Sequence, residues 1–329
     1  MPPKSPLAQR NGLDPAWLRT DGFDRNQPSP WLTMRDWLDD RLRVHMDVDE
    51  RIAEERFILA DGQPVRAEDP YKPYTFVWFH RDLREEATVP GKIHTVFEDE
   101  RIMVVDKPPF LSSIPRGRHV MQSVVVRLRA ELGLPELTPM HRLDRVTSGL
   151  LLLAKERQWR GPYQSMFQYG QITKTYRAIA PLREGLEIPT VVRSHIQKEH
   201  GIMRATEIAG AEPNSESIVE LVGELAGGSA PLAYPELPGA DGEIAAPPRL
   251  GEYKLSPVTG KTHQLRIHLA SLGIPIVGDP LYPVERDVTI DDFTTPLQLL
   301  ANQLSFTDPV DGTERSFTSA RALPLLTNE

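Results

Sequence analysis

Residues 141–155 read His-Arg-Leu-Asp-Arg-Val-Thr-Ser-Gly-Leu-Leu-Leu-Leu-Ala-Lys, and the reading of the fold starts there. One carboxylate, Asp144, lies between Arg142 and Arg145. The apolar run Leu150 to Ala154, bounded by Ser148-Gly149 and Lys155, predicts a buried strand. The carboxylate is therefore expected on a loop pinned by a core strand, where reactive groups tend to be placed. Flanking guanidinium groups favour the ionised form that a nucleophile or base needs. Taken alone, Asp144 reads more readily as a structural partner of either arginine in a surface turn.

Upstream of this stretch, Ile93–Phe97 and Ile102–Asp106 predict a hairpin across Glu98–Glu100, and 121–132 predicts an amphipathic helix with Val124, Val125, Leu128 and Leu132 as its buried face. Downstream, Gln158–Tyr169 has helical character, but Gly161-Pro162 is expected to break or start it. Lys174–Ile179 alternates like a strand, and Val191–Glu207 suggests a hairpin across His200-Gly201. Strands follow at Ser217–Val222 and Gly251–Pro257, separated by a Gly-, Ala-, Pro- and acid-rich loop over 223–248. Thr262–Leu272 predicts a helix, with Leu265, His268, Leu269 and Leu272 on one side, and the closing strands fall near Leu297–Leu304 and Thr313–Phe317. Many strands with few helices between them point to an α+β domain over 91–329, with a mixed, mostly antiparallel sheet flanked by helices and loops.

Ahead of it, residues 1–30 carry six prolines among polar residues and read as an extended or disordered tail. Residues 31–90 read as a small α/β module and linker. Met34, Trp37, Leu38 and Leu42 have helical spacing behind a Thr33 cap, a second short helix falls near Asp49–Arg56, and Tyr74–Phe79 is a strand. So short a module is expected to have little core of its own.

A chain of 329 residues with 40% hydrophobic and 26% charged content is an ordinary soluble protein of about two domains. It has no cysteine, hence no disulfide framework, no apolar run near the roughly 18 residues of a membrane span, and no apolar leader, so the cytoplasm is the expected compartment. The net charge of −8 is unevenly spread. Residues 101–180 hold thirteen Lys and Arg against five Asp and Glu, whereas 211–250 hold seven acids and Arg249. A polyanion would dock on the segment that contains Asp144.

Residues 141–149 meet every fixed position of H-R-L-D-x-x-T-S-G, and the chain resembles the RluA-type pseudouridine synthases, whose catalytic motif this is. Lys174-Thr-Tyr176-Arg-Ala178 resembles the family's K-x-Y-x-A segment. Thr259-Gly-Lys-Thr-His-Gln-Leu-Arg-Ile-His-Leu269, with Gly273-Ile-Pro-Ile-Val-Gly-Asp279, resembles its second signature. Leu297–Pro309 resembles its third, except that Leu300 stands where the pattern has histidine. Gly260-Lys261-Thr262 is not a phosphate loop, because position 255 is leucine rather than glycine, and His263 and His268 are five apart rather than four, which disfavours zinc. Residues 31–85 resemble in pattern the αL-type RNA-binding module that precedes the catalytic domain in many family members, without a strong basic cluster.

The resemblance implies isomerisation of uridine to pseudouridine in structured RNA, ribosomal or transfer, by a base-flipping monomer with no cofactor and no obligatory metal. It implies Asp144 as nucleophile or base. Tyr176 would stack on the uracil and could accept the proton from carbon 5. Arg266 would orient Asp144 through two parallel hydrogen bonds. Arg142 would fill the gap left by the flipped base, supported by His141, and Arg145, Thr147, Lys174, His263 and Gln264 join the expected RNA- and base-binding set. Two other classes stay open: a non-catalytic RNA-binding or assembly protein that keeps the fold, and an unrelated hydrolase using Asp144.

Overall fold

The computed structural model describes residues 2–22, 29–117, 119–225 and 248–326; most of the loop expected at 223–248 lies outside the described residues. The chain forms two compact units, one of Met1–Glu85 with Val126–Pro135, the other of Glu86–Val125 with Glu136–Glu329.

The first unit holds β1 (Ala16–Arg19), α1 (Met34–Leu42), α2 (Val48–Ala53), β2 (Ile58–Leu59) and β3 (Phe76–Phe79). Thr33 caps α1 as expected, in a reciprocal box with Asp36. Met34, Trp37, Leu38 and Leu42 bury against Val48, Ile52, Phe57, Val77 and Phe79. The tail expected to be extended or disordered supplies β1, which pairs antiparallel with β3 and sends Ala16 and Leu18 into this core. Four residues of alternation were too short a signal against six prolines, and the added strand gives the module more core than its length suggested.

The second unit is built on one large sheet. Its elements are β4 (His94–Glu98), β5 (Ile102–Lys107), α3 (Val124–Leu132), β6 (Thr138–Pro139), β7 (Ser148–Ala154), α4 (Arg157–Gln168), β8 (Thr173–Pro181), β9 (Thr190–Ser194), β10 (Ile196–Gln197), β11 (Thr206–Glu207), β12 (Ser215–Glu224), β13 (Leu250–Pro257), α5 (Gln264–Ser271), β14 (Leu299–Thr307) and β15 (Glu314–Thr318). From Val126 on, α3 is counted with the first unit. It buries Val124, Val125, Val126 and Leu128, but Leu132, expected on the same face, is 43% exposed at its frayed end. The sheet runs β4-β5-β7-β14-β8-β13-β12-β9, with β15 and β6 as side strands, and its pairings are antiparallel except β7 with β14. The α+β reading with a mostly antiparallel sheet holds.

The apolar run 150–154 is the middle of this sheet. Every residue of β7 is buried, which is why it lacks the alternation of a half-solvated strand. Leu150, Leu152 and Ala154 pack on Tyr163 and Met166 of α4. That helix runs through Gly161-Pro162, contrary to expectation; Pro162 falls in its second turn, and the two buried side chains just beyond hold the helix on the sheet. The expected hairpin over 191–207 shrinks to β10–β11, because β9 pairs with β12 instead. Leu300 belongs to an apolar cluster with Ile179, Leu250, Val277 and Leu323, so no polar partner is left wanting at that position.

One row of the sheet places the site. Gly149 pairs with Ala301, Ala301 with Tyr176, and Tyr176 with Leu255. The loop before β7 and the middle of β8 are thereby brought together across β14. Gly149 has φ +109°, and a Cβ there would lie 2.3 Å from the Ala301 carbonyl oxygen and 2.6 Å from its nitrogen. Gly149→Ala is expected to lower the unfolding free energy by about 3 kcal/mol or more, measured by urea denaturation, with Gly62→Ala in an open turn as the milder comparison.

Candidate active site

Asp144 sits in a tight turn closed by the Thr147 amide, which donates to the Asp144 carbonyl at 3.1 Å. Two buried groups clamp this turn from below. Ser113 Oγ donates to Leu143 O at 2.9 Å and accepts from Leu143 N at 3.1 Å. Lys107, the last residue of β5 and the partner of Gly149, is fully buried, and its Nζ donates to the carbonyls of Pro108, Leu111 and Arg145. Burial pushes the Lys107 ammonium well below its ordinary pKa, and the negative charge of Asp144 acts against that shift. Neither clamp was anticipated: Lys107-Pro108-Pro109 reads in sequence only as the entry to a domain.

The Asp144 carboxylate is 30% exposed, while the arginine that holds it is 2% exposed. Arg266 comes from α5, whose residues 264–269 are all buried, so the one-sided helix expected from the pattern is enclosed on all sides. The rest of that motif fixes the helix. Gln264 uses its whole amide: Oε1 accepts from Thr259 Oγ1 and Lys261 N, and Nε2 donates to Glu216 O and Ser217 Oγ. His268 Nε2 meets Ser194 Oγ at 3.0 Å and Ser215 Oγ at 3.2 Å.

The two parallel hydrogen bonds expected between Arg266 and Asp144 go elsewhere. Nε and Nη2 of Arg266 donate to Oδ2 and Oδ1 of Asp279 at 2.7 and 2.6 Å, and only Nη1 reaches Asp144 Oδ2, at 3.2 Å. Asp279 is 1% exposed, and its Oδ1 also accepts from the amides of Leu281 and Tyr282. Burial works against the charge of Arg266, but the bonds and charge of Asp279, with the charge of Asp144, raise its pKa overall. The fork is thus spent on a buried anchor, which leaves one directed donor for Asp144.

On the same side, His263 Nε2 lies 3.8 Å from Asp144 Oδ2. Its Nδ1 is 2.9 Å from Tyr282 Oη, which donates its single proton to Ala205 O and accepts from Ala205 N, so Nδ1 carries the hydrogen. Burial lowers the His263 pKa, with Asp144 opposing. Tyr176 is half-buried, and burial, reinforced by the charge of Asp144, raises its hydroxyl well above the ordinary range, so it is a neutral phenol at pH 7. Two residues along the same face of β8, Lys174 is half-buried, and its ammonium makes no hydrogen bond or ion pair among the described residues.

The structure therefore brings Asp144, Arg266, Tyr176 and His263 together, with Lys174 two residues from Tyr176 on the same strand, while other members of the expected set are engaged by the protein. Thr147 is buried in the turn, and Gln264 is saturated by protein groups. His141 Nε2 accepts from Leu152 N at 3.1 Å, and its ring stacks on Phe167 at 4.5 Å. It thereby holds the loop onto β7. Arg145 donates to Ile290 O at 3.1 Å and covers the ring of Phe110. Arg142 is exposed and, among the described residues, has no protein partner.

With this geometry in view, the comparisons are direct. A family model described as RNA pseudouridylate synthase matches residues 101–271, which include every residue of the site except Asp279 and Tyr282. The chain belongs to the RluA-type pseudouridine synthase family. It is 31% identical over 214 residues to the dual-specificity RNA pseudouridine synthase RluA of Vibrio parahaemolyticus, covering 65% of this chain and 77% of the relative. It is also 31% identical over 225 residues to tRNA pseudouridine synthase C of Vibrio vulnificus, covering 66% and 86%. Among solved structures, human RNA pseudouridylate synthase domain containing 1 shares the fold, with a TM-score of 0.52 at 20% identity over 73% of this chain and 96% of that one. In this synthase Asp144 is carried on the turn before β7.

Two outcomes follow from the charges. Asp279→Asn leaves Arg266 buried without its main counter-charge and is expected to lower stability by about 3–5 kcal/mol, read from denaturant midpoints. In the unfolded chain imidazoles titrate near 6.5, whereas burial holds His141 neutral down to about 3 and His268 down to about 4. The unfolded chain therefore takes up protons first: stability is full above pH 6.5 and is lost as the pH falls toward 4. Urea midpoints should drop between pH 7.5 and 5, and a flat profile would contradict the assignment.

Proposed function

We propose that this synthase converts uridine to pseudouridine within RNA, with Asp144 as the nucleophile or base that labilises the glycosidic bond. One observation carries the assignment: a partly exposed Asp144 carboxylate fixed by a buried Arg266 that is itself anchored on Asp279. The reaction breaks the bond between N1 and the sugar, turns the base, joins carbon 5 to the sugar, and releases the carbon 5 proton while N1 takes one up. It needs a positioned carboxylate, a surface for the freed ring and a proton acceptor; Asp144, on the turn before β7, and Tyr176, joined to β7 through the Gly149–Ala301–Tyr176 row, supply the first two. A Tyr176 hydroxyl held protonated suits stacking on the uracil. To take the carbon 5 proton it would have to pass its own proton on in the same step. Lys174 suits a phosphate of the flipped nucleotide, and the exposed, unpartnered Arg142 suits the gap the base leaves behind.

The names of several relatives, including tRNA pseudouridine synthase C of Vibrio vulnificus and tRNA pseudouridine(31) synthase of Saccharomyces cerevisiae, favour transfer RNA as the substrate class, with ribosomal RNA as the second candidate. All the assigned groups come from one chain, which suits a monomer, and a cysteine-free protein acting on RNA suits the cytoplasm.

The test is tritium release from RNA labelled at carbon 5 of uridine, with transfer and ribosomal RNA in separate reactions. Wild type should release tritium from at least one pool. Asp144→Asn should lower the rate by about 1000-fold or more while RNA still binds; turnover near the wild-type rate would refute Asp144. Tyr176→Phe should keep binding and lose most of the rate, whereas full activity would leave Tyr176 a stacking role alone.

A further inference from the structure

The outer face of the sheet in the first unit is aromatic where a solvent-facing sheet is normally polar. In the β1–β3 register Trp17 pairs with Trp78 and Arg19 with Phe76, so these four side chains share the face opposite Ala16, Leu18, Val77 and Phe79, which enter the core. Trp17 is 45% exposed and Tyr74, just before β3, is 61% exposed. Trp17 and Phe76 are 5.5 Å apart between centroids, and Phe76 is backed by Trp78, which is buried at 4% exposure and stacks on it at 6.4 Å. The guanidinium of Arg19 lies over this surface, 5.2 Å from the Tyr74 centroid and 5.7 Å from that of Phe76.

The charge at this face is what identifies its occupant. Elsewhere in the unit Arg35 pairs with Asp49, Arg41 with Asp21, and Arg51 and Arg56 with Asp82. Arg19 has no carboxylate partner among the described residues, and neither has the exposed Lys72 nearby. By contrast the helix pair, residues 34–55, carries eight acids against four arginines and would repel a polyanion. Exposed rings beneath an uncompensated guanidinium match an unpaired nucleic-acid strand, whose bases offer π-faces and whose phosphates offer charge. A duplex offers only its backbone to such a surface.

Resting on the reading of this chain as an RNA-modifying enzyme, we propose that Trp17, Arg19, Tyr74 and Phe76 form a platform on which unpaired nucleotides of the substrate RNA stack. The unit would then engage RNA through its sheet and not through the helix pair that its resemblance to an αL module suggested. The platform reads single-strandedness and not base identity, and would select substrates whose target lies near a loop or a free end.

The experiment uses the full chain. Binding of fluorescein-labelled single-stranded oligouridine and of an RNA duplex of equal length is followed by anisotropy and by quenching of tryptophan emission. Wild type should prefer the single strand and show quenching. Trp17→Ala and Tyr74→Ala should each weaken single-strand binding by about tenfold or more, and Trp17→Phe should restore most of it. Arg19→Glu, a surface change that tests the face even where a ring deletion perturbs folding, should weaken binding and flatten its salt dependence. In tritium release these variants should raise KM and leave kcat unchanged. Equal affinity of wild type, Trp17→Ala and Arg19→Glu, or a preference for duplex, would overturn the platform. Such a result with wild-type release intact leaves the synthase reading standing; loss of release in wild type would instead strike at that reading, while anisotropy still reports on the platform.

Discussion

The arrangement depends on one buried cation serving two carboxylates unequally. Arg266 gives its planar fork to Asp279, which is nearly inaccessible, and one remaining N–H to Asp144, which is open to solvent. Had the fork gone to Asp144, the carboxylate would be held more tightly but have fewer lone pairs for chemistry. Anchored elsewhere, the guanidinium stays fixed as the substrate comes and goes, and Asp144 keeps one oxygen edge free. Preorganisation of this kind places the reorganisation cost in folding rather than in the reaction. The cost is visible in the fully enclosed α5, the saturated Gln264 and the buried Lys107, all of which keep polar groups out of water to hold a short turn still.

The same constraint explains which parts of the molecule the sequence disclosed. The run Leu150–Ala154 was legible because a strand buried on both faces needs an unbroken apolar string, and Asp144, Tyr176 and Arg266 were legible because their surroundings are long and specific. Roles within the motifs were less so. His141, Thr147 and Gln264 lie in the same strings as Asp144 and Arg266, yet Thr147 and Gln264 are buried, and His141 and Gln264 bond the protein through their side chains. A string names the residues of a site without separating those that line it from those that hold it, because that distinction depends on side-chain direction and on partners far along the chain. Asp279 was quoted within a signature, but its bond to Arg266 depends on where α5 points.

Elsewhere the local signals misled for simple reasons. Proline content concealed β1, since four alternating residues say little until β3 is there to pair with them. Pro162 was given the power to break a helix that tertiary packing of Tyr163 and Met166 preserves. Leu300, a departure from the expected histidine, proved to be a plain core residue. Each is a case of long-range packing outweighing local preference.

The position of β14 in the sheet has a consequence for how the protein is made. β7, which follows Asp144, and β8, which carries Tyr176, are not neighbours; β14 lies between them and bonds to both, yet it spans residues 299–307. During synthesis β7 and β8 therefore emerge before the strand that joins them. Until then both strands present open edges, a state that favours mispairing. A nascent chain ending before Leu299 would contain Asp144, Tyr176 and Arg266 and still lack the strand that brings β7 and β8 together.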